Sequence, residues 1–280
     1  MSKSKSSAHS QMPDSEKEVS GKRTYASVRK RHEEIVELLL ERGYVTVEYL
    51  ANIFNVTPQT IRRDIKSLSE AGRIRHYHGG AGVVMSTENY AYSDRKVLCL
   101  KEKQRIAKLV AKHVPDHASL FMNLGTTTEE VAKALANHRG LRIITNNLNV
   151  AAILGSKEEL QIIVAGGLLR HKDCGITGEA TIDFIRQFKV DIGIIGISGI
   201  DQDGDLLDFD YREVRAARAI IDNSRRVFLV TDHTKFGRNA MVRLGTISEI
   251  SALFTDRKPP APLVEILEAA DVELFVAEHD

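Results

Sequence analysis

The feature that most constrains this chain is a regular alternation, over residues 101–280, of short apolar runs with longer amphipathic segments. The runs at 119–121, 141–145, 161–164, 191–196, 226–231, 252–255 and 273–276 predict strands. The segments at 103–112, 128–137, 148–154, 180–188, 211–223 and 262–270 carry helical spacing. Strands alternating with helices argue for an α/β class and an open, mostly parallel sheet covered by helices. In such sheets ligands sit outside the carboxyl ends of the strands, so the loops that follow them are where a site is expected.

The first strand runs into Asn123-Leu124-Gly125-Thr126-Thr127-Thr128, where glycine, hydroxyls and a helix start present N–H groups suited to an anion. Thr145-Asn146-Asn147 follows the second strand and Ala165-Gly166-Gly167 the third. Gly196-Ile197-Ser198-Gly199-Ile200-Asp201 follows the fourth. Asp232-His233-Thr234-Lys235-Phe236-Gly237 follows the fifth, with Lys235 placed to pair with a phosphate. One glycine after a strand is usually a turn. Five such loops along one edge read as a pocket for a small phosphorylated, hydroxyl-bearing molecule. Its candidate contacts are Asn123, Gly125, Thr126, Thr127, Thr128, Asn146, Asn147, Gly166, Gly167, Ser198, Gly199, Asp201, Asp210, Glu213 and Lys235.

Nucleotide signatures do not fit. Gly193 to Gly199 reads GIIGISG rather than G-x-G-x-x-G, and no G-x-x-x-x-G-K-[ST] occurs. Asp201, Asp208, Asp210 and Glu213 are the carboxylates that could shuttle protons between sugar carbons in an isomerase. The plainer reading makes Asp201 and Asp203 turn residues in "IDQDGD" and Glu213 a helix cap or ion-pair partner. The histidines form no H-E-x-x-H, Cys99 and Cys174 have no metal spacing, and no cofactor or metal is expected.

The N-terminal part has a different order. Ile35, Leu38 and Leu39 mark a helix over 27–42, closed by Gly43, and Tyr44-Val45-Thr46 is extended. Val47, Leu50, Ala51 and Phe54 mark a short second helix, and Asn55-Val56 turns. Thr57 then suits an N-cap and Pro58 the first position of a third helix, which Gly72 ends. "RIRHYHGGAGVV" reads as a two-stranded hairpin. This is the order of a winged helix-turn-helix.

In "VTPQTIRRDIKSL", Ile61, Ile65 and Leu68 form an apolar stripe, with Gln59, Arg62, Arg63 and Lys66 roughly opposite. By itself the polar stripe is more often a solvated face than a reading head. In this setting Thr57, Gln59, Thr60, Arg62 and Arg63 are candidates for base edges or phosphates of double-stranded DNA. Lys66, Arg73, Arg75, His76 and His78 would hold its backbone. Asp64 repels phosphate and is expected to orient a neighbouring arginine. Residues 1–85 carry 14 Lys and Arg against 10 Asp and Glu, and the rest 25 against 28, an asymmetry that permits a nucleic-acid partner without demanding one.

The expected organisation is a disordered tail at 1–26, the DNA-binding part at 27–85, a polar linker at 86–100 and the α/β domain at 101–280. No apolar run reaches the ~18 residues of a membrane span. With no secretory signal and two isolated cysteines, the expected compartment is the cytoplasm.

Arg31, Ile35, Leu39, Thr57, Thr60, Ile61, Arg62, Arg63, Asp64 and Ile65 match, position by position, the signature of the DeoR-type transcriptional regulators. "HGGA" from His78 and "DRK" from Asp94 resemble that family's wing and linker. "NLGTTTEEVA", "TNNLNVA", "AGGLLR", "GEATIDFI", "GISGIDQDGDLLDFDY" and "DHTKFGRNAM" are similar to its glycerol 3-phosphate-responsive repressors. The resemblance implies a sugar-phosphate isomerase-like domain kept as a sensor, glycerol 3-phosphate as inducer, operator DNA as partner, and a homo-oligomer, dimer or tetramer. Two departures stand out. Most relatives place an aspartate where Asn123 stands, which alters a hydrogen bond to ligand hydroxyls. Where the isomerases have a glycine-rich turn after their acidic loop, this chain has "LLDFDYREV". That weakens the enzyme reading, which would also leave the helix-turn-helix idle. A different sugar phosphate as effector is the other alternative.

Overall fold

The structure is a computed structural model that describes residues 28–39, 44–71, 73–77, 79–82 and 92–277. The tail, the helix stops at Gly43 and Gly72, His78 and residues 86–91 of the expected linker lie outside them. The chain divides into two compact units, Met1–Val84 and Met85–Asp280.

The first unit holds three helices, α1 (28–39), α2 (Val47–Phe54) and α3 (Pro58–Glu70). Short strands β1 (Tyr44–Thr46), β2 (Arg75–Tyr77) and β3 (Gly80–Gly82) accompany them. Thr46 caps α2 by accepting from the Tyr49 amide at 3.1 Å, and Asn55 ends it in the left-handed region at φ 49°. Thr57 caps α3 with Pro58 at its first position, where proline's missing N–H costs nothing. Ile35, Leu39, Leu50, Ile61, Ile65, Leu68 and Ile74 meet in one core. The expected two-stranded hairpin is a three-stranded antiparallel sheet in the order β1-β3-β2, with Val45 opposite Ala81 and His76 opposite the same residue. Pairing of β1 across that distance in sequence leaves no local signature.

The second unit is built on a seven-stranded parallel sheet. Its strands are β4 (Ser119–Met122), β5 (Arg142–Thr145), β6 (Gln161–Val164), β9 (Val190–Ile195), β12 (Ser224–Val230), β14 (Ala252–Thr255) and β15 (Glu273–Val276), in the order β15-β14-β12-β9-β4-β5-β6. Both faces are covered, so successive residues enter different cores: Val227 and Leu229 pack on one side, Phe228 and Val230 on the other. That is why these strands read as continuous apolar runs. From β4 the strand order proceeds one way through β5 and β6, and from β9 the other way through β12, β14 and β15. The switch point therefore lies between β4 and β9, where an open α/β sheet forms its crevice.

The helices are α5 (Leu100–Ala111), α6 (Thr126–Leu135), α7 (Leu148–Leu154), α8 (Glu179–Ile185), α9 (Tyr211–Asp222) and α10 (Ala261–Ala269), within a few residues of the sequence reading. Three features differ from it. A helix α4 (Tyr92–Val97) lies within the stretch expected to be a polar linker. A hairpin of β7 (Leu168–Arg170) with β8 (Gly175–Thr177), and a small antiparallel sheet β10-β11-β13 (Gly199–Ile200, Asp205–Asp208, Val242–Thr246), interrupt the simple alternation. Their strands are too short, and too mixed in polarity, to carry a period-two signal. Among the described residues no helix is long and apolar enough to cross a membrane.

Candidate functional site

In the first unit, α3 sorts its residues by chemistry. Ile61, Asp64, Ile65 and Leu68 are buried, whereas Gln59, Arg62, Arg63 and Lys66 are exposed. The exposed cations are held loosely: Arg62 lies 4.0 Å from Glu48 and Lys66 3.8 Å from Glu70, all four side chains more than half exposed. Such pairs contribute little and yield readily to a polyanion. Thr57 and Thr60 are engaged with each other, the Thr60 amide donating to Thr57 Oγ1 at 3.2 Å and the two hydroxyls 3.0 Å apart. Arg75 and His76 lie on β2, with His76 exposed, and Arg73 is partly buried before it.

Asp64 takes a role the sequence stated only loosely. Being on the buried stripe, it turns away from Arg62 and Arg63 and binds Arg31 of α1, accepting from Nε at 2.7 Å and Nη2 at 3.2 Å. His32 Nε2 lies 3.0 Å from Asp64 Oδ1, the oxygen that also accepts from Arg31 Nη2. Its arginine partner is thus distant in sequence.

In the second unit a small cleft opens at the carboxyl ends of β4, β9 and β12, beside the switch point. Leu124, Gly125, Thr126 and Thr127 line it after β4, and Gly196, Ile197 and Ser198 after β9. Val230, Thr231 and Lys235 contribute from β12 and the loop beyond. Asp208 of β11, Glu213 of α9, Arg95 of α4 and Lys103 of α5 complete it. Helix α6 starts at this floor without a capping side chain, and Gly125 before it has a φ of 144°. Its first-turn N–H groups are therefore open to an anion.

Three cations and two acids share this small space, and burial shifts both lysines and both acids. Desolvation and the neighbouring Arg238 charge pull Lys235 down to about 7, against the opposing pull of Asp232. Burial lowers Lys103 as well, and its ammonium donates to the carbonyls of Arg95 at 2.5 Å and Leu98 at 2.7 Å. Burial and the adjacent Asp208 charge push Glu213 up to about 7, although Arg170 pairs with it at 2.7 Å. Asp208 is itself raised by burial while accepting from the Phe209 amide at 2.6 Å and Ser198 Oγ at 3.1 Å. A site of this kind concentrates positive charge beside neutral or weakly acidic acceptors, which suits an anionic polyol.

Of the sequence-derived candidates, Gly125, Thr126, Thr127, Ser198, Glu213 and Lys235 come together at the cleft. The others sit around it in structural positions. Asn123 is buried at the end of β4, with its Oδ1 unpartnered among the described residues. Thr128 donates back to the Gly125 carbonyl at 3.0 Å. Asn146 donates to the Ile176 carbonyl at 3.0 Å, and Asn147 caps α7. The Gly166 carbonyl accepts from Thr181 Oγ1 at 2.8 Å, Gly167 has φ 149°, and a Cβ at Gly199 would strike the Arg238 backbone. Asp201 is a turn residue, its Oδ1 accepting from the amides of Asp203 at 3.1 Å and Asp205 at 2.8 Å. Asp210 caps α9 and pairs with Arg170 at 2.9 Å.

Sequence reasoning passed over Arg95, Lys103 and Arg170. Lys103 carried a signal: it shares the stripe of Ile106, Ala107 and Val110, so a lysine stood at a core position of α5. Arg170 is made central by contacts to Asp173, Asp210 and Glu213 that only the folded hairpin creates. The fold also gathers Cys99, Asp232 and His233, with ligating atoms within 4.8 Å of one another. Burial and Asp232 push the Cys99 thiol up, and Asp256 holds His233 Nδ1 at 2.7 Å.

Residues 31–87 match the DeoR-like helix-turn-helix domain, and residues 99–257 match the DeoR C terminal sensor domain. The chain is 54% identical to the glycerol-3-phosphate regulon repressor of Escherichia coli (strain K12), over 87% of its own length and 97% of that protein's. It is 52% identical to the glycerol-3-phosphate regulon repressor of Haemophilus influenzae, covering 82% and 89%. It is 41% identical to the HTH-type transcriptional repressor CsqR of Escherichia coli (strain K12), covering 89% and 96%. Among solved structures, ribose 5-phosphate isomerase A from Methanocaldococcus jannaschii is similar at a TM-score of 0.37 and 14% identity, over 49% of this chain and 55% of that one.

Proposed function

Because this chain belongs to the DeoR family of transcriptional regulators, we propose that it is a repressor of glycerol metabolism genes released from its operator by glycerol 3-phosphate. Both matched domains are regulatory, and the protein is a regulator rather than an enzyme. In this reading residues 27–85 hold the operator and residues 101–280 sense the effector, in the cytoplasm. The observation that carries it is the polar cleft at the switch point of the sheet, in a chain 54% identical to a glycerol-3-phosphate regulon repressor along nearly its whole length.

The division of labour follows from the chemistry. The effector's phosphate sits against Gly125, Thr126 and Thr127, where open N–H groups and the helix dipole favour negative charge. Lys235 and Lys103 complete its neutralisation. Ser198, Asp208 and Glu213 face the hydroxyls. On DNA, α3 enters the major groove, with Gln59, Arg62 and Arg63 nearest base edges or phosphates and Lys66, Arg75 and His76 toward the backbone. Two-fold half-sites would call for a dimer or tetramer. Release requires that glycerol 3-phosphate bind the DNA-incompetent arrangement more tightly, and by linkage operator DNA then weakens effector binding by the same factor.

The test is an operator gel shift with the full chain against a panel of phosphorylated metabolites. Release by glycerol 3-phosphate, at concentrations where pentose and hexosamine phosphates leave the complex intact, is the expected result. Release by another sugar phosphate alone would reassign the effector.

A further inference from the structure

Helix α4 is six residues long and has no buried residue. A helix this short does not hold itself together in water. What fastens it is a set of polar bonds around the cleft. Tyr92 Oη donates to the Glu129 carboxylate, 2.8 and 3.0 Å from its oxygens, and accepts from Asn149 Nδ2 at 2.9 Å. Arg95 Nη2 reaches Asp173 at 3.4 Å, and Lys103 grips the carbonyls of Arg95 and Leu98.

Arg95 is the member that faces the cleft. Its side chain is only 14% exposed, yet its buried Nε has no hydrogen-bond partner among the described residues. A buried guanidinium N–H left over is a standing desolvation cost, relieved when an acceptor arrives. A phosphate provides that acceptor in the geometry a guanidinium matches best. Asp173 holds the guanidinium and Lys103 the backbone carbonyl of Arg95, which keeps the group where such a ligand would meet it.

We infer that Arg95 is a phosphate ligand of the effector, supplied by the segment that leads out of the DNA-binding unit, so that filling the cleft fixes α4. The inference rests on the reading of the cleft as the effector site. Occupancy of the cleft and the order of α4 are thereby linked.

The experiment combines calorimetric titration of glycerol 3-phosphate into the full chain with amide hydrogen exchange over residues 92–98, with and without the ligand. The expected result is slower exchange of that segment on binding. Arg95→Gln should bind at least about tenfold more weakly, the scale of losing a charge-assisted bond. Lys96→Gln removes the same charge from an exposed position on the same helix and should bind as wild type does. In gel shifts, Arg95→Gln should keep its operator affinity and lose most of its response to the effector. Equal affinity of wild type and Arg95→Gln overturns the inference alone, as does unchanged exchange in liganded wild type, which does not depend on how well the variant folds. Wild-type protein that takes up no glycerol 3-phosphate overturns the reading of the cleft, and the inference with it.

Discussion

Lys235 and Asp64 show how burial converts ordinary charged residues into specialised ones. With Lys235 at about 7 in the unliganded cleft, phosphate favours its protonated form and raises that value. Its contribution to affinity is fully present below about 7 and declines as pH rises through it. Glu213, also near 7, ionises over the same range and adds repulsion. A phosphate monoester becomes dianionic near about pH 6. Calorimetry should therefore find tightest binding of glycerol 3-phosphate between about pH 6 and 7 and a steady loss toward pH 9. Lys235→Ala should keep operator binding, blunt release and flatten the alkaline limb; an unaltered limb would remove Lys235 from the site. Asp64 has the opposite duty, holding Arg31 and His32 within the first unit. Asp64→Ala should destabilise that unit by about 2–3 kcal/mol, the range for hydrogen bonds to charged groups, read by urea unfolding. A loss of operator affinity with no loss of stability would mean that Asp64 acts on DNA instead.

At the scale of elements, α3 was readable because its cap, apolar stripe and polar stripe all follow from local spacing. Its exposed cations make a sharp comparison possible. Arg62→Ala should cost about 1–3 kcal/mol of operator affinity and relax choice at one base position if Arg62 reads a base. Equal weakening on all sequences, with a shallower salt dependence, would instead make it a phosphate anchor. Helices α5 to α10 and the seven strands were legible for the same reason, being long or apolar enough to impose a period. The hairpin β7–β8, the β10-β11-β13 sheet and α4 were not. Their residues are held by partners far away in sequence, as Arg170 is by Asp210 and Glu213 and Tyr92 by Glu129. No window of neighbouring residues contains that information.

For the whole molecule, two compact units joined in one chain predict two responses to ligand. Glycerol 3-phosphate at about 100 times its Kd should stabilise the sensor unit by about 2.7 kcal/mol. In scanning calorimetry the transition of that unit should move up while the other stays; equal movement of both would show that they unfold as one. The sequence by itself determined the class of each unit, the order of their elements and the edge of the sheet where a ligand would sit, because strand and helix periods and the residues after each strand are local properties. It also yielded six of the residues that line the cleft. Only the tertiary structure decided that Arg95 and Lys103 join them, that Asn147 caps α7, and that Asp64 binds Arg31. Those outcomes depend on which side chains the sheet crossing and the buried stripes bring within a few ångströms, and the chemistry of the cleft on how far burial shifts Lys235 and Glu213. Neither can be read from spacing along the chain.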